Sequence, residues 1–200
     1  MRLLSRNVEL VKLIMERVIQ ENDLCIDATL GNGNDALYMY KLGGRVIGFD
    51  IQDEAIKNSK SKFREELQDE MDNENLNKVM LVKDSHENIE KYLTTEDKEY
   101  NRIKFATFNL GYLPKGNKAI ITKADATIKA LDTCIKYLAP DGVISIVVYY
   151  EHDGGIEEKM AVEEYLKFLN EENVEVVCIN KYNSTKSLPI TYFIYKKWYI

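Results

Sequence analysis

The segment Asp27-Ala28-Thr29-Leu30-Gly31-Asn32-Gly33-Asn34-Asp35 constrains this chain more than any other. It follows the apolar run Leu24-Cys25-Ile26, carries two glycines and leads into a stretch with helical spacing. Without Cβ atoms, Gly31 and Gly33 let the backbone turn sharply and lie close to a ligand, and the amides of a helix beginning near Asn34 face the same space. Arg45-Val46-Ile47-Gly48-Phe49 reads as the next strand and ends in Asp50. That is roughly 20 positions beyond the glycines, where a parallel neighbour brings a carboxylate within reach of both hydroxyls of a ribose. A β-α-β unit with a nucleoside pocket beyond the carboxyl ends of its strands follows.

Gly31-Asn32-Gly33-Asn34-Asp35-Ala36 also satisfies the G-x-G-x-x-A pattern of dinucleotide enzymes, so the loop alone leaves an NAD-dependent oxidoreductase open. Asp27 separates the two cofactors: a carboxylate just upstream of the glycines crowds a pyrophosphate but holds the cationic amino group of S-adenosylmethionine. The competing role for Asp27 is to cap a loop or helix end. The sulfonium reading assigns Asn32, Asn34 and Asp35 to the methionine portion, Asp50 and Gln52 to the ribose, and Asp84, Ser85 and His86 to the adenine edge. Thr29, Gly31, Gly33, Ile51 and Asn109 complete the cofactor set. Asp84-Ser85-His86 also has the form of an N-capped helix start, and the two readings are compatible.

Two hundred residues, 45% of them hydrophobic, suit one α/β domain spanning 1–200, and no apolar run approaches the roughly 18 residues that cross a membrane. Glu9 and Lys12 interrupt the N-terminal stretch, so no signal-peptide core is expected and the cytoplasm is the expected location. Cys25, Cys134 and Cys178 are odd in number and lack metal-ligand spacing, and are expected to be buried thiols with no metal site. A net charge of −6 opposes non-specific nucleic-acid binding, so any RNA contact must be local. Lys115, Lys118, Lys123, Lys181, Lys186, Lys196 and Lys197 gather in the second half of the chain, a pattern that an ordinary solvated surface also explains.

Helical spacing predicts an amphipathic helix over 6–21 that covers one sheet face, and further helices over 34–42, 53–67, 123–137 and 156–170. The acidic stretch 65–75 reads as a surface extension. Strands are predicted over 24–26, 45–50, 79–82, 103–108, 143–148, 174–179 and 190–195, with Pro140-Asp141-Gly142 turning the chain into the fifth. The unbroken β-branched run at 143–148 indicates burial on both faces. The last two runs are too close for a helical crossover and must pair as an antiparallel hairpin. A mostly parallel, seven-stranded α/β sheet with helices on both faces and a terminal antiparallel hairpin is the Rossmann-like class I methyltransferase architecture, and departs from the all-parallel dinucleotide fold.

Three segments carry a resemblance over most of the chain: the glycine loop from Asp27 to Asp35, Phe108-Asn109-Leu110-Gly111-Tyr112-Leu113-Pro114, and Val147-Val148-Tyr149-Tyr150-Glu151-His152-Asp153-Gly154-Gly155. With these the chain resembles the YtqB-like rRNA methylases among the class I S-adenosylmethionine-dependent methyltransferases. The resemblance implies S-adenosylmethionine as cofactor. For bacterial members it implies methylation of the aminomethyl group on carbon 5 of the tRNA wobble uridine, a role called MnmM, with the anticodon region of tRNA as partner. Ribosomal RNA or a small-molecule amine remains the alternative within methyltransferases. Lys115-Gly116 stand where the family commonly has glycines after Pro114.

Asn109-Leu110-Gly111-Tyr112 echoes the Asn-Pro-Pro-Tyr signature of amino-group methyltransferases without its prolines, which also leaves open a non-enzymatic RNA-binding module. An amide oxygen and a neighbouring backbone carbonyl can accept protons from an attacking amine and aim its lone pair, which makes Asn109 the expected catalytic residue. Tyr112 either stacks on the target or fills core space. His152, after the fifth strand, is the candidate base or substrate contact, against the reading of a surface-loop histidine. Leu110, Gly111, Tyr149 and Gly154 complete the expected substrate side. The 182–189 segment is left open between contact with substrate, contact with a second subunit of a homodimer, and an ordinary hairpin loop.

Overall fold

The computed structural model describes residues 7–67, 78–100, 102–113, 121–184, 186 and 188–196. Their order is α1 (Asn7–Val18), β1 (Leu24–Asp27), α2 (Asn34–Lys41), β2 (Arg45–Asp50), α3 (Asp53–Glu66), β3 (Val79–Lys83), a 3-10 helix (His86–Lys91), α4 (Thr95–Glu99), β4 (Ile103–Leu110), α5 (Ala124–Lys136), β5 (Leu138–Val148), α6 (Gly155–Lys167), β6 (Val174–Ile179) and β7 (Ile190–Lys196). The seven strands form one sheet in the order β3-β2-β1-β4-β5-β7-β6. Strands β1 to β5 run parallel, and β7 lies antiparallel between β5 and β6.

The period-2 alternation of the strands sorts their side chains into two cores. Leu24, Ile26, Phe108 and Ile146 pack with Ile89 of the 3-10 helix, Leu131 and Cys134 of α5 and Val162 of α6. Cys25, Val46, Phe105 and Val147 pack on the other face with Val11 and Met15 of α1, Leu37 and Met39 of α2 and Phe63 of α3. A fully buried apolar side chain such as Met15 contributes about 1.5–3 kcal/mol of transfer free energy. These two layers of helices hold the sheet so that the loops after β1, β2, β4 and β5 share one crevice.

Several boundaries differ from the sequence expectation. Helix α1 stops at Val18, and the chain turns into β1 through Asn22, whose φ is 65°. Strand β4 runs to Leu110 because β5 pairs with it as far as Leu110↔Val148, which brings Asn109 inside the sheet. Pro140-Asp141-Gly142 makes a bulge within β5 instead of a turn before it: the register passes from Ile103↔Leu138 to Phe105↔Val143, and Lys104 bonds the Asp141 carboxylate. Cys25 and Cys134 are buried, and burial pushes both thiols up, but Cys178 is exposed. The insertion of β7 leaves β6 at the sheet edge, where Val177, Cys178 and Ile179 meet solvent. The expected acidic extension lies outside the described residues from 68 onward. No helix among the described residues is long and apolar enough to cross a membrane.

Candidate active site

Asp27 ends β1 and is only 1% exposed. Its carboxylate accepts the Thr29 amide at 3.2 Å and the Ala36 amide at 3.1 Å. The second bond caps α2, whose N-cap residue Gly33 has no side chain to do so. The capping role considered for Asp27 is therefore real, and the same residue also lines a cavity. Burial, then the neighbouring Asp35, push the Asp27 carboxyl well above the ordinary range, against the two amide bonds that favour the anion. Asp35 is also raised by burial, opposed by a hydrogen bond from Asn109 and by the charge of Lys12.

Asp50, ending β2, accepts Gly31 N at 3.0 Å and Gln52 N at 2.9 Å, which ties the glycine loop to the next strand. Gly31 has φ 52°, and a Cβ there would meet Leu113 at 3.4 Å. Gly33 makes the sharp turn expected of it and also gives room for helix packing. Its φ is 70°, and a Cβ would come within 2.7 Å of Ser59 Oγ, which donates to Gly31 O at 3.1 Å. Gly33 allows α3 to pack on the loop and lines neither of the cavities described below. Asn32 Oδ1 accepts Asn58 Nδ2 at 3.1 Å, and Asn34 bonds Lys62.

At the end of β3, Ser85 caps the 3-10 helix by accepting Glu87 N. Asp84 takes hydrogen bonds from Asn88 and Tyr92 at 2.9 Å and from its neighbour's amide, and these hold its carboxyl below the usual range. His86 Nδ1 lies 3.0 Å from the carbonyl of Ala28 and must donate to it. Burial lowers the ring's pKa, and with Nδ1 donating, Nε2 is an acceptor that has no protein partner among the described residues.

Two cavities open on this crevice. The smaller, about 330 Å3, is lined by Ala28, Phe49, Asp50, Ile51, Gln52, Asp84, Ser85 and His86. The larger, about 820 Å3, is lined by Asp27, Asn32, Asn34, Asp35, Tyr149, Tyr150, Glu151 and His152, with Val8, Leu188 and Pro189 at its rim. Thr29, Gly31, Asn109, Gly111 and Tyr112 border both and mark their junction.

Asn109 is locked at that junction. Its amide N–H donates to Thr29 Oγ1 at 2.7 Å and its Nδ2 to Asp35 Oδ2 at 2.9 Å. Beyond it the chain passes Gly111, whose φ is 154°, and makes an isolated antiparallel bridge between Tyr112 and Ile121. Gly111 N donates to Thr122 Oγ1 at 3.0 Å and Gly111 O accepts Thr122 N at 3.1 Å. The Thr122 hydroxyl in turn donates to Glu158 of α6 at 2.6 Å, and Thr127 donates to the other carboxylate oxygen at 3.2 Å. Burial pushes the Glu158 carboxyl up, against both hydroxyl bonds. The His152 ring packs edge-on against Tyr112, with centroids 5.7 Å apart, and its buried Nε2 has no protein partner among the described residues.

Two expected substrate contacts, Leu110 and Gly154, lie outside both cavity linings. Leu110 points into the core with 0% exposure, as strand alternation requires, and its carbonyl accepts the Tyr149 amide at 3.0 Å. Gly154 is the left-handed N-cap of α6 and lines neither cavity; it is Gly155 whose missing side chain makes room for His152, since a Cβ would lie 3.0 Å from the ring. Glu158, Thr122 and Ser59 were not singled out by the sequence, because an isolated glutamate or hydroxyl on a polar helix or loop has no spacing signal. Lys115 and Lys118 lie outside the described residues.

The residues fit an adenosine cofactor carrying a cationic amino acid. The smaller cavity pairs the Asp50 carboxylate with His86 Nε2, an acceptor without a partner among the described residues. On the other side of the junction, the Asp27 and Asp35 carboxyls are both raised by burial and form no ion pair among the described residues, which is the environment a buried cation neutralises.

A mostly parallel seven-stranded sheet with one antiparallel strand inserted before the edge, and ligand-sized cavities beyond its carboxyl ends, defines the class I methyltransferase fold. Residues 46–195 match the family model described as "Putative rRNA methylase", and the chain belongs to that family. It is 35% identical to the "putative rRNA-methylase" of Clostridium thermocellum, with a TM-score of 0.85 over 96% of this chain and 98% of that one. A "putative methyltransferase" of Streptococcus mutans, solved in complex with SAH, is 32% identical with a TM-score of 0.82 over the same shares. The chloroplastic tRNA (mnm(5)s(2)U34)-methyltransferase of Arabidopsis thaliana is 38% identical over 169 residues, which are 80% of this chain and 59% of that protein. The chain thus spans about 59% of the length of that curated relative.

Proposed function

We propose that this protein is an S-adenosylmethionine-dependent methyltransferase that methylates a primary amine, the 5-aminomethyl group of the wobble uridine in tRNA. The observation that carries the reading is Asn109, held by Thr29 and Asp35 at the junction between an adenosine-sized cavity and a larger, tyrosine-lined one. The Arabidopsis relative's name and the SAH complex of the Streptococcus structure support the substrate and the cofactor.

Asp50 and Gln52 would hold the ribose, His86 Nε2 the adenine edge, and Asp27 the amino group, with Asn32 and Asn34 on the methionine portion. When bound, S-adenosylmethionine supplies the methyl group as an electrophile on a sulfonium centre. The larger cavity receives the acceptor: Tyr112, Tyr149 and Tyr150 offer faces on which an unstacked anticodon base stacks, and Asp35 and Glu151 attract an ammonium group. An alkylamine has a pKa near ~10, so it arrives protonated and must lose a proton before its lone pair is available. We assign this proton to His152, whose ring lines that cavity and whose Nε2 is buried with no hydrogen-bond partner among the described residues. The Asn109 carbonyl oxygen accepts an N–H of the neutral amine and fixes the lone-pair direction, which is catalysis by orientation.

The test is mass spectrometry of tRNA nucleosides from cells lacking the gene, together with transfer of a labelled methyl group by the purified protein. Accumulation of unmethylated aminomethyl-thiouridine, reversed by the purified protein, is the expected result. Unchanged tRNA nucleosides with methyl transfer to ribosomal RNA or to a free amine would replace the substrate.

A further inference from the structure

An amide side chain has an acceptor end and a donor end of almost the same shape, and at the junction of the two cavities the choice between them decides whether an amine is received or repelled. Asn109 Nδ2 donates to Asp35 Oδ2 at 2.9 Å, while the backbone of the same residue is pinned by Thr29 Oγ1 at 2.7 Å. An ionised carboxylate offers only acceptors, so it binds the NH2 end of the amide and leaves Oδ1 for the ligand. Burial raises the Asp35 carboxyl, and the hydrogen bond from Asn109 and the charge of Lys12 oppose that rise. Asp35 sits in the first turn of α2, and that helix is tied to β1 by the Asp27 cap on Ala36, so the carboxylate is presented to β4 from a fixed element.

We propose that Asp35 is the positioning residue that sets the polarity of Asn109, turning its amide so that the carbonyl oxygen faces the amine. This rests on the methyltransferase reading and extends it, because it gives Asp35 a task on the acceptor side of the junction in addition to the cofactor side.

The test exchanges the two functional groups. In Asp35→Asn the new amide can offer its own NH2 to Asn109 Oδ1, so Asn109 flips and presents a donor to the incoming N–H. The expected result is a fall in kcat of about 100-fold, the scale of a misoriented reacting group. In the double variant Asp35→Asn/Asn109→Asp, the amide at 35 donates to one carboxylate oxygen at 109 and the other oxygen again faces the amine. The expected result is recovery of kcat by at least about tenfold over Asp35→Asn. An Asp35→Asn enzyme that loses cofactor affinity but keeps its kcat, or a double variant no better than the two single ones combined, overturns the proposal.

A readout without turnover uses the free protein labelled with 15N. The Asn109 side-chain amide resonance, identified by its loss in Asn109→Ala, is expected to shift in Asp35→Asn, and an unmoved resonance overturns the proposal. If the wild-type protein transfers no methyl group to any amine while this resonance shifts, the enzymatic reading fails and the geometry of the pair stands.

Discussion

Glu158 accepts the hydroxyl of Thr122 at 2.6 Å while Thr122 receives the amide of Gly111 at 3.0 Å, so a carboxylate buried under α6 holds the segment that carries Tyr112 to the cavity junction. Glu158→Ala removes the acceptor of a half-buried hydroxyl, Thr122, and of a buried one, Thr127. It should lower stability by about 1–3 kcal/mol in urea unfolding and reduce turnover, because Gly111 and Tyr112 lose their tie. Glu158→Gln keeps an acceptor for Thr122 and should lie nearer to wild type in both measurements. Equal damage from the two variants would show that charge, not hydrogen bonding, is what the segment requires.

Gly33→Ala tests the packing of the glycine loop apart from the ligand. With φ at 70° and Ser59 Oγ 2.7 Å from the added Cβ, the variant carries both backbone strain and a clash. A stability loss of about 1–3 kcal/mol is expected from the strained backbone alone, read as a lower denaturation midpoint without ligand. Cofactor affinity measured well below that midpoint should change much less than in a variant at Gly31.

Asp50 and His152 separate the two cavities. Asp50 lines only the smaller one, and its carboxylate also anchors Gly31 and Gln52; Asp50→Ala should abolish cofactor binding in calorimetry. His152 lines only the larger one, and His152→Ala should keep that binding while kcat/KM falls by about 100-fold, the usual worth of a positioned base. An equal loss of cofactor affinity in both variants would contradict the division.

The buried carboxyls give the free protein a characteristic pH dependence. Burial raises Asp27 and Asp35 above their unfolded values, so the folded chain binds more protons than the unfolded chain and stability falls as pH climbs from about 4 through the raised values. Glu158 contributes in the same direction. Asp35→Asn removes one of these groups and relieves Asp27 of a like charge. The melting temperature of this variant, relative to wild type, should therefore increase between pH 4 and pH 7. A constant difference across that range would mean that the pair is not perturbed in the folded state.

The parts of the architecture that follow from local periodicity could be read from the chain itself. The glycine loop, the strand ending in Asp50 and the antiparallel pairing of the last two strands each rest on a repeat of two or a backbone demand at a glycine. Long-range pairing was less accessible. Strand β4 gains Asn109 and Leu110 only because β5 continues beside it, and Cys178 is exposed only because β7 displaces β6 to the edge. The site divides the same way. Asp27, Asp50 and Asn109 stand at strand ends, where the α/β fold concentrates ligand contacts. Glu158 and Thr122 meet across 36 positions, and no spacing in the sequence announces the pair.

The intercalation of β7 between β5 and β6 also bears on how the protein is born. Strand β5 can satisfy its outer row of backbone groups only with Ile190–Tyr195, from Val148↔Ile190 to Val143↔Tyr195. A ribosome must release the residues up to about Tyr195 before that partner exists. Until then the strand leading to Tyr149 and His152 carries a naked hydrogen-bonding edge, open to adventitious pairing. The cavity wall formed by Tyr149 and His152 is consequently completed only after β7 has been made, and a chain truncated before residue 190 should be aggregation-prone.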